Sequence, residues 1–279
     1  ISVCLVGSEM CIRDRRNIGM IFQDYALFPH LTVAENIAFG LKNETAQQKL
    51  LKVEEMLGLV HLKGYGDRYP HQLSGGQQQR VAIARSLAYK PDLLLLDEPF
   101  SNIDTQVRHE LIREIRKIFK QQGVTAIFVT HSREEAFAFA DKMAVMNLGV
   151  IEQYGTASDL YYQPSSKFVA DFLGGGSYLA AKRVSESEFD THFGVVEANA
   201  QQDIQVDAEC ALLLRPQHIQ IAADEESAIK VLELHFMGDH CRYVIDVNGD
   251  RLLATSTQAL NVGDSVKVKL EAQGVLAFA

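Results

Sequence analysis

Two adjacent acidic residues, Asp97 and Glu98, follow four leucines at positions 93–96. A run that is apolar at every position is typical of a central parallel strand buried on both faces. Such a strand presents the residues that follow it at the carboxyl edge of a sheet, where ligands bind. There Asp97 could hold Mg²⁺ and Glu98 could polarise a water molecule for in-line attack on a γ-phosphate. For this motif alone, a solvated strand end is the alternative.

The pentapeptide LSGGQ at positions 73–77 is a candidate phosphate site. Ser74, Gly75 and Gly76 open a predicted helix, and Gln77 completes the motif. A hydroxyl and bare backbone N–H groups therefore meet at a helix start, where the dipole favours anions. A simple serine N-cap is the alternative for the pentapeptide alone. The acidic pair that follows at this distance favours the phosphate site.

Two further polar residues follow predicted strands. Gln23 comes after NIGMIF and could contact Mg²⁺ or water, and His131 comes after FVT and could reach a γ-phosphate. The loop beyond Gln23, QDYALFPH, is expected to expose Tyr25, Leu27 and Phe28 as a partner surface. Taken alone, these features also fit a surface loop and a structural histidine.

Strands and helices alternate through the first part of the chain, which predicts a layered α/β domain. Capping boxes at Thr32 with Glu35 and at Thr45 with Gln48 predict two helix starts. The predicted strands lie at 17–22, 93–96, 125–129, 143–146 and 150–153, and the later helices begin near positions 76, 104, 132 and 168. The strand edges must therefore position the acidic pair, Gln23 and His131.

After residue 177 the pattern changes to short alternating segments. Asn248 and Gly249 predict a type I′ hairpin turn, and Val262, Gly263 and Asp264 predict another. We expect an all-β module in which five or six short strands close as a small barrel.

The opening residues 1–14 resemble neither a signal peptide nor a strand. Within them, LVGSEMCIRD resembles a translated sequencing adapter, so this segment is interpreted as an artefact, with a genuine N-terminal extension as the alternative. The predicted domains are then 15–176, with a helical subdomain at about 31–90, and 177–279.

The order of Gln23, LSGGQ, LLLLDEP and His131 resembles the Q-loop, signature, Walker B and H-loop of ABC transporter ATPases, over residues 15 to about 175. The resemblance implies a P-loop NTPase-like fold that binds ATP and Mg²⁺. By the same resemblance Asp97 and Gln23 bind the metal, and Glu98 and His131 are catalytic. The implied nucleotide contacts are Gln23, Ser74, Gly75, Gly76, Gln77 and Asp104. Ser132 stands where Asp is frequent in the family.

The resemblance also implies partners. In the family, the signature of one subunit closes over ATP held by another, so a homodimer is expected. Residues 101–104, SNID, resemble the D-loop at that interface, with Asp104 as both a contact and a helix N-cap. The loop after Gln23 and the helices beyond it are where the family receives its membrane permease.

In the segments LLLRPQHI and LNVGDSVKVKL, the second module resembles the C-terminal TOBE domain of importer ATPases. Gln217 stands where Glu is usual in that domain. The chain looks most similar to iron(III) importer ATPases, with polyamine, sulfate and sugar importers as alternatives. The expected location is the cytoplasmic face of the bacterial inner membrane, with an indirect link to a periplasmic or extracellular substrate-binding protein.

Composition excludes several other classes. A net charge of −9 argues against nucleic acid as a partner. No apolar run approaches the roughly 18 residues of a membrane-spanning helix. The four cysteines lack CxxC spacing, which fits a reducing compartment. A chromosome-maintenance ATPase would require long heptads, and a tandem translation-associated ABC protein would require a second signature.

No glycine in the chain is followed by lysine, so the phosphate loop G-x-x-x-x-G-K-[ST] is absent from the sequence. We therefore expect that the chain is truncated at its N-terminus and that, as written, it does not hydrolyse ATP appreciably. A catalytically dead fragment that acts only as a binding or regulatory module is the alternative of a different class.

Overall fold

The computed structural model of the protein describes residues 17–271 and 274–279. The chain divides into two compact units, the first ending at Ala140 and the second spanning Asp141–Ala279. The interpretation of residues 1–14 as an artefact lies outside the described residues. The predicted domain boundary at residue 176 stays a prediction, and by compactness the hairpin and two helices before it belong to the second unit.

A three-stranded parallel sheet organises the first unit. Its strands are β1 (Ile18–Ile21), β2 (Leu93–Asp97) and β3 (Thr125–Val129), in the order β1-β2-β3. Crossovers between parallel strands require helices, which follow in the sequence between the strands. The α/β prediction for this part of the chain is confirmed.

Five helices accompany this sheet, and side chains cap them where short-range patterns predict. They are α1 (Val33–Ala38), α2 (Ala46–Leu59), α3 (Gly75–Ala88), α4 (Thr105–Gln122) and α5 (Arg133–Phe139). The capping boxes of Thr32 with Glu35 and of Thr45 with Gln48 both form, which confirms the two predicted helix starts. Gly123, in the left-handed region at φ 64°, ends α4.

The core of the first unit lies on one face of the sheet. Leu94 and Leu96 of β2 are fully buried and share a cluster with apolar residues of α3 and α4. Leu93 and Leu95 are only half-buried, and Ile127 and Val129 of β3 are 53% and 51% exposed. The expectation that β2 is buried on both faces is therefore wrong, because the helices that share its core pack on the face of Leu94 and Leu96.

The second unit begins with a hairpin and two short helices. The hairpin pairs β4 (Met143–Asn147) with β5 (Val150–Gly155), and the helices are α6 (Ala157–Tyr162) and α7 (Lys167–Leu173). No helix among the described residues is long and apolar enough to cross a membrane.

The remainder of the second unit is all-β, as predicted. Its strands are β6 (Ser177–Arg183), β7 (Glu188–Thr191), β8 (Gly194–Glu197), β9 (Asn199–Ala200), β10 (Glu209–Leu214), β11 (Ile219–Ala223), β12 (Lys230–Phe236), β13 (Cys241–Val247), β14 (Asp250–Ser256), β15 (Val266–Leu270) and β16 (Leu276–Phe278). They form sheets of six, three and two strands, so the described part of the chain contains more strands than the five or six expected. Strands as short as β9 carry too few residues for a period-2 pattern to reveal them. Asn248 and Gly249 both have positive φ, as a type I′ turn requires.

Candidate functional site

The parallel register brings three chain segments to one edge of the sheet. Ile21, Leu96 and Phe128 are aligned across β1, β2 and β3. Each strand ends at this row or one residue beyond it, so the loops that follow leave the sheet on the same side. The four predicted residues that follow the strands therefore share the carboxyl edge: Gln23, Asp97, Glu98 and His131.

Glu98 and His131 contact each other directly. His131 Nδ1 lies 3.0 Å from Glu98 Oε1, and the side chains are 74% and 31% exposed respectively. Glu98 has φ of 42°, a left-handed conformation that costs a non-glycine residue energy. Its backbone N–H donates to Val129 O at 2.9 Å, which holds the turn in place. The end of β3 thus fixes the direction in which the acidic residue leaves β2.

This contact raises the pKa of the His131 imidazole above its ordinary value. The hydrogen bond to Glu98 is the largest cause, and the negative charge of Glu98 is the next. A carboxylate favours the protonated imidazole, so the positive charge persists to higher pH than in an isolated histidine. The edge can therefore offer both an acceptor for a water proton and a cationic donor for a phosphate oxygen.

Asp97 and Gln23 are the residues at this edge that could hold Mg²⁺. Asp97 is the exposed last residue of β2, and none of the described residues bonds to its carboxylate. The one hydrogen bond of Gln23 among them uses its backbone carbonyl, so its side-chain amide is also available. The described residues contain no group of three His, Cys, Asp or Glu that could hold a metal. A site with only a few protein oxygen ligands at an open edge is suitable for Mg²⁺, because this ion usually keeps several waters and binds substrate phosphates.

The segment 101–104 lies against this edge. Ser101 Oγ donates to Glu98 O at 3.0 Å, and Asn102 Nδ2 donates to Gln23 O at 3.0 Å. Asp104 Oδ1 accepts from Gln106 N at 2.8 Å, which confirms its role as the N-cap of α4. Its contact across an interface stays a prediction. The segment thus joins the end of β2 to the loop after β1.

The LSGGQ motif forms a separate, exposed helix start. Ser74 caps α3, and Gln77 Oε1 accepts from Ser74 N at 3.0 Å in a reciprocal capping box. Ser74 therefore does act as the N-cap of this helix, as the alternative interpretation of the pentapeptide expects. A Cβ on Gly75 would lie 3.5 Å from Asn102 O, so this helix start adjoins the segment 101–104. Ser74 makes no bond to the four residues of the carboxyl edge.

The loop after Gln23 differs from its prediction. Tyr25 is 4% exposed rather than a surface residue, and Leu27 and Phe28 are half-buried. Tyr25 and Ala26 both have positive φ, and Arg85 of α3 donates to their carbonyls at 2.9 and 2.7 Å. The expectation of an exposed Tyr25 is wrong because these bonds turn the loop inward, and burial raises the pKa of the Tyr25 phenol.

A second buried donor, Asn36, shapes the next part of this loop. Asn36 is fully buried; its Oδ1 accepts from Phe28 N at 2.9 Å, and its Nδ2 donates to the carbonyls of Phe28, Leu31 and Thr32. Sequence reasoning missed Asn36 and Arg85, and it named Asn102 only as part of the segment 101–104, without its bond to the carbonyl of Gln23. The partners of Arg85 and Asn102 lie 59 and 79 positions away, so no local spacing could have revealed them.

Comparison with known proteins identifies relatives of both parts of the chain. A family model described as ABC transporter matches residues 6–101, and a model described as TOBE domain matches residues 212–278. The spermidine/putrescine import ATP-binding protein of Clostridium acetobutylicum is 40% identical over 259 residues, covering 90% of this chain and 72% of that protein. The sulfate/thiosulfate import ATP-binding protein of Halalkalibacterium halodurans is 45% identical over 219 residues, covering 76% of this chain and 60% of that protein.

The chain therefore belongs to the ATP-binding proteins of ABC transporters. Within that family it is an ATPase of an importer, with an ABC ATPase domain followed by a TOBE domain. This confirms the predicted fold class and enzyme class. Members of the family bind ATP, generally with Mg²⁺.

The contact between Glu98 and His131 predicts a titration that depends on one carboxylate. In an NMR pH titration, we expect the His131 imidazole to titrate above its ordinary value of 6.5. Glu98→Gln should lower that midpoint, because it removes the charge and weakens the bond. Glu134→Gln is the matched control, since Glu134 bonds to Arg133 and Ser132 instead. Equal shifts in the two variants would contradict the assignment.

Proposed function

We propose that the intact protein containing this chain powers an importer of polyamines by hydrolysing ATP with Mg²⁺ at the carboxyl edge of the parallel sheet. The single observation that supports the reaction is the meeting of Asp97, Glu98 and His131 at that edge, with Glu98 and His131 3.0 Å apart. Phosphoryl transfer depends on positioning and charge stabilisation, which one carboxylate bonded to an imidazole and one open carboxylate can supply.

Each residue has its own part in this proposal. Asp97 and Gln23 bind the metal, which when bound neutralises charge on the phosphates. Glu98 accepts a hydrogen bond from the attacking water and aligns it with the γ-phosphate. His131 donates to a γ-phosphate oxygen, and the raised pKa of its imidazole favours the cationic form. The left-handed backbone of Glu98 fixes where the carboxylate stands before substrate arrives.

Polyamines are the preferred cargo because the polyamine import proteins align with a larger share of this chain than the sulfate import protein does. The spermidine/putrescine import protein of Nitrosomonas europaea is 37% identical over 91% of this chain, similar in extent to that of C. acetobutylicum. The sulfate/thiosulfate protein matches a smaller share at higher identity, so sulfate is the second candidate. These relatives favour the alternatives over the iron(III) expectation.

A second copy of the chain completes the site in this proposal. Ser74 and Gly75 are exposed at the start of α3 and adjoin the segment 101–104. A helix start with an accessible hydroxyl and free N–H groups can bind the γ-phosphate of ATP held by another subunit. The nucleotide contacts of Ser74, Gly75, Gly76 and Gln77 therefore act across a homodimer, and Asp104 lies at its interface.

A groove in the first unit is the proposed docking site of the permease. It has a volume of about 910 Å³ and runs between β1, α2 and the end of α3. Phe39 and Leu51 line it and are 51% and 62% exposed, while Lys52 and Glu55 pair at its rim. Apolar side chains this accessible are typical of a protein interaction site. Docking there places the chain at the cytoplasmic face of the bacterial inner membrane, linked through the permease to a substrate-binding protein outside.

The catalytic proposal predicts that one carboxylate separates binding from hydrolysis. In the protein encoded by the complete gene, Glu98→Gln should lower kcat for ATP by about 100-fold or more, because the water loses its acceptor. Affinity for ATP with Mg²⁺ should change little. Asp92→Asn, an acidic residue before β2, is the control. Unchanged kcat in Glu98→Gln, or no ATPase activity in the parent protein, would favour the non-catalytic module.

The cargo proposal predicts which solute stimulates ATP hydrolysis. The complete ATPase would be reconstituted in proteoliposomes with the permease and binding protein encoded beside its gene. Spermidine or putrescine should raise the ATPase rate several-fold, whereas sulfate and iron(III) should not. Stimulation by sulfate would establish the second candidate, and stimulation by iron(III) would restore the original expectation.

The docking proposal predicts a difference between two neighbouring leucines of α2. Leu51→Glu should abolish co-purification of the ATPase with the permease, because it places a charge in the apolar groove. Leu50→Glu is the matched control: Leu50 is similarly exposed, at 59%, but does not line the groove. Loss of assembly in both variants, or in neither, would argue against this groove.

A further inference from the structure

A buried carboxylate, Glu135, stands behind the loop that carries His131. Glu135 is the third residue of α5 and is only 4% exposed. Its Oε2 accepts from Thr130 Oγ1 at 2.7 Å, and Thr130 Oγ1 accepts in turn from Ser132 N at 3.0 Å. Ser132 Oγ accepts from the backbone N–H of Glu135 at 3.3 Å. The residues on both sides of His131 are thus bonded to Glu135.

The guanidinium of Arg108 links this carboxylate to the segment 101–104. Arg108 Nη1 lies 3.4 Å from Glu135 Oε1. Its Nη2 and Nε donate to the backbone carbonyl of Ile103 at 2.7 and 3.3 Å. A planar guanidinium binds two partners in fixed directions through separate nitrogens, whereas an ammonium has three rotatable donors on a single nitrogen. One side chain therefore joins the chain before α4 to the helix that begins after His131.

We propose that Arg108 and Glu135 are positioning residues that couple the segment 101–104 to His131. This inference rests on the proposed function, in which that segment lies at the interface with a second copy and His131 contacts the γ-phosphate. A displacement of Ile103 when two copies meet is passed through Arg108 to Glu135, and through Thr130 and Ser132 to the backbone of His131. Closure of the dimer thereby sets the direction of the imidazole.

The pair is not needed to pack α4 against α5. Arg116, two turns further along α4, donates to Ala138 O at 3.2 Å. Phe119 and Phe139 also meet edge to face, with ring centroids 5.9 Å apart. Buried ion pairs add little stability relative to apolar contacts, but they define a specific arrangement of the groups they join. Arg108 and Glu135 lie between two functional loops, which is consistent with a role in defining the arrangement of those loops.

Hydrogen exchange in the 279-residue chain tests the mechanical link without requiring ATP hydrolysis. Arg108→Lys keeps the charge beside Glu135 but lacks the separate nitrogens that reach Ile103 O and Glu135 Oε1. We expect the amides of Ile103 and Ser132 to exchange about 10-fold faster in this variant, as in a local opening. Arg116→Lys is the matched control, because it weakens another contact from an arginine of α4 to α5, at a place away from both loops. Faster exchange at one loop only, at neither, or equally in the control would overturn the coupling.

Kinetic measurements on the protein encoded by the complete gene test whether this coupling affects ATP hydrolysis. Arg108→Lys and Glu135→Gln should each lower kcat about 10-fold with less than a 2-fold change in KM for ATP, since neither touches nucleotide. The double variant should lose no more than either single variant, because both interrupt one link. Additive losses, or an effect on KM alone, would overturn the proposal. An unchanged KM separates loss of coupling from failure to fold, because a variant that did not fold would not bind ATP.

The hydrogen-exchange and kinetic experiments together distinguish a failure of this inference from a failure of the proposed function. If Glu98→Gln leaves hydrolysis unchanged while Arg108→Lys still loosens both loops, the assignment of the catalytic site is wrong and the mechanical link stands. If Glu98→Gln abolishes hydrolysis while Arg108→Lys behaves like Arg116→Lys, the catalytic site stands and the coupling is overturned.

Discussion

The candidate site depends on the parallel hydrogen bonding of three strands. Because β1, β2 and β3 are in register at their last residues, three distant parts of the chain reach the same edge. The bond from Glu98 N to Val129 O extends this pairing one step beyond β2 and stabilises a left-handed residue there. A slip of one residue would reverse which side chains of β2 enter the core and would move Glu98 away from His131.

Beyond the strands, polar side chains replace sheet pairing as the force that orders the loops. Arg85, Asn102 and Arg108 each donate to backbone carbonyls of a segment that leaves the sheet or precedes a helix. Irregular backbone cannot satisfy its own hydrogen-bonding groups, and unpaired buried carbonyls are costly. Side-chain donors, two of them on helices, therefore hold the loops in conformations, such as those of Tyr25 and Ala26, that local preferences disfavour.

Sequence reasoning succeeded where the signal is local. The capping boxes, the turn at Asn248 and Gly249, and the strand that precedes Asp97 all depend on residues within a few positions of one another. It failed on Tyr25, whose burial depends on an arginine 60 positions away, and on the second face of β2. Four leucines in succession show that a strand is apolar, but they cannot show which of its faces has a neighbour. The residues of the site could be named from sequence, whereas the contacts that aim them could not.

Asn36 has a consequence for how this part of the molecule can move. Its single amide bonds the N–H of Phe28 and three carbonyls between positions 28 and 32, and Asn36 itself belongs to α1. The stretch from Phe28 into the helix is therefore held by one buried amide. Without that amide, Phe28 N and Leu31 O would lose their hydrogen-bond partner, whereas Phe28 O and Thr32 O keep backbone donors. The residues between Gln23 and Phe28 are not bonded to this amide, but Arg85 of α3 bonds the carbonyls of two of them, Tyr25 and Ala26. The chain between the amide proposed to hold the metal and α1 is therefore held by side chains of two different helices.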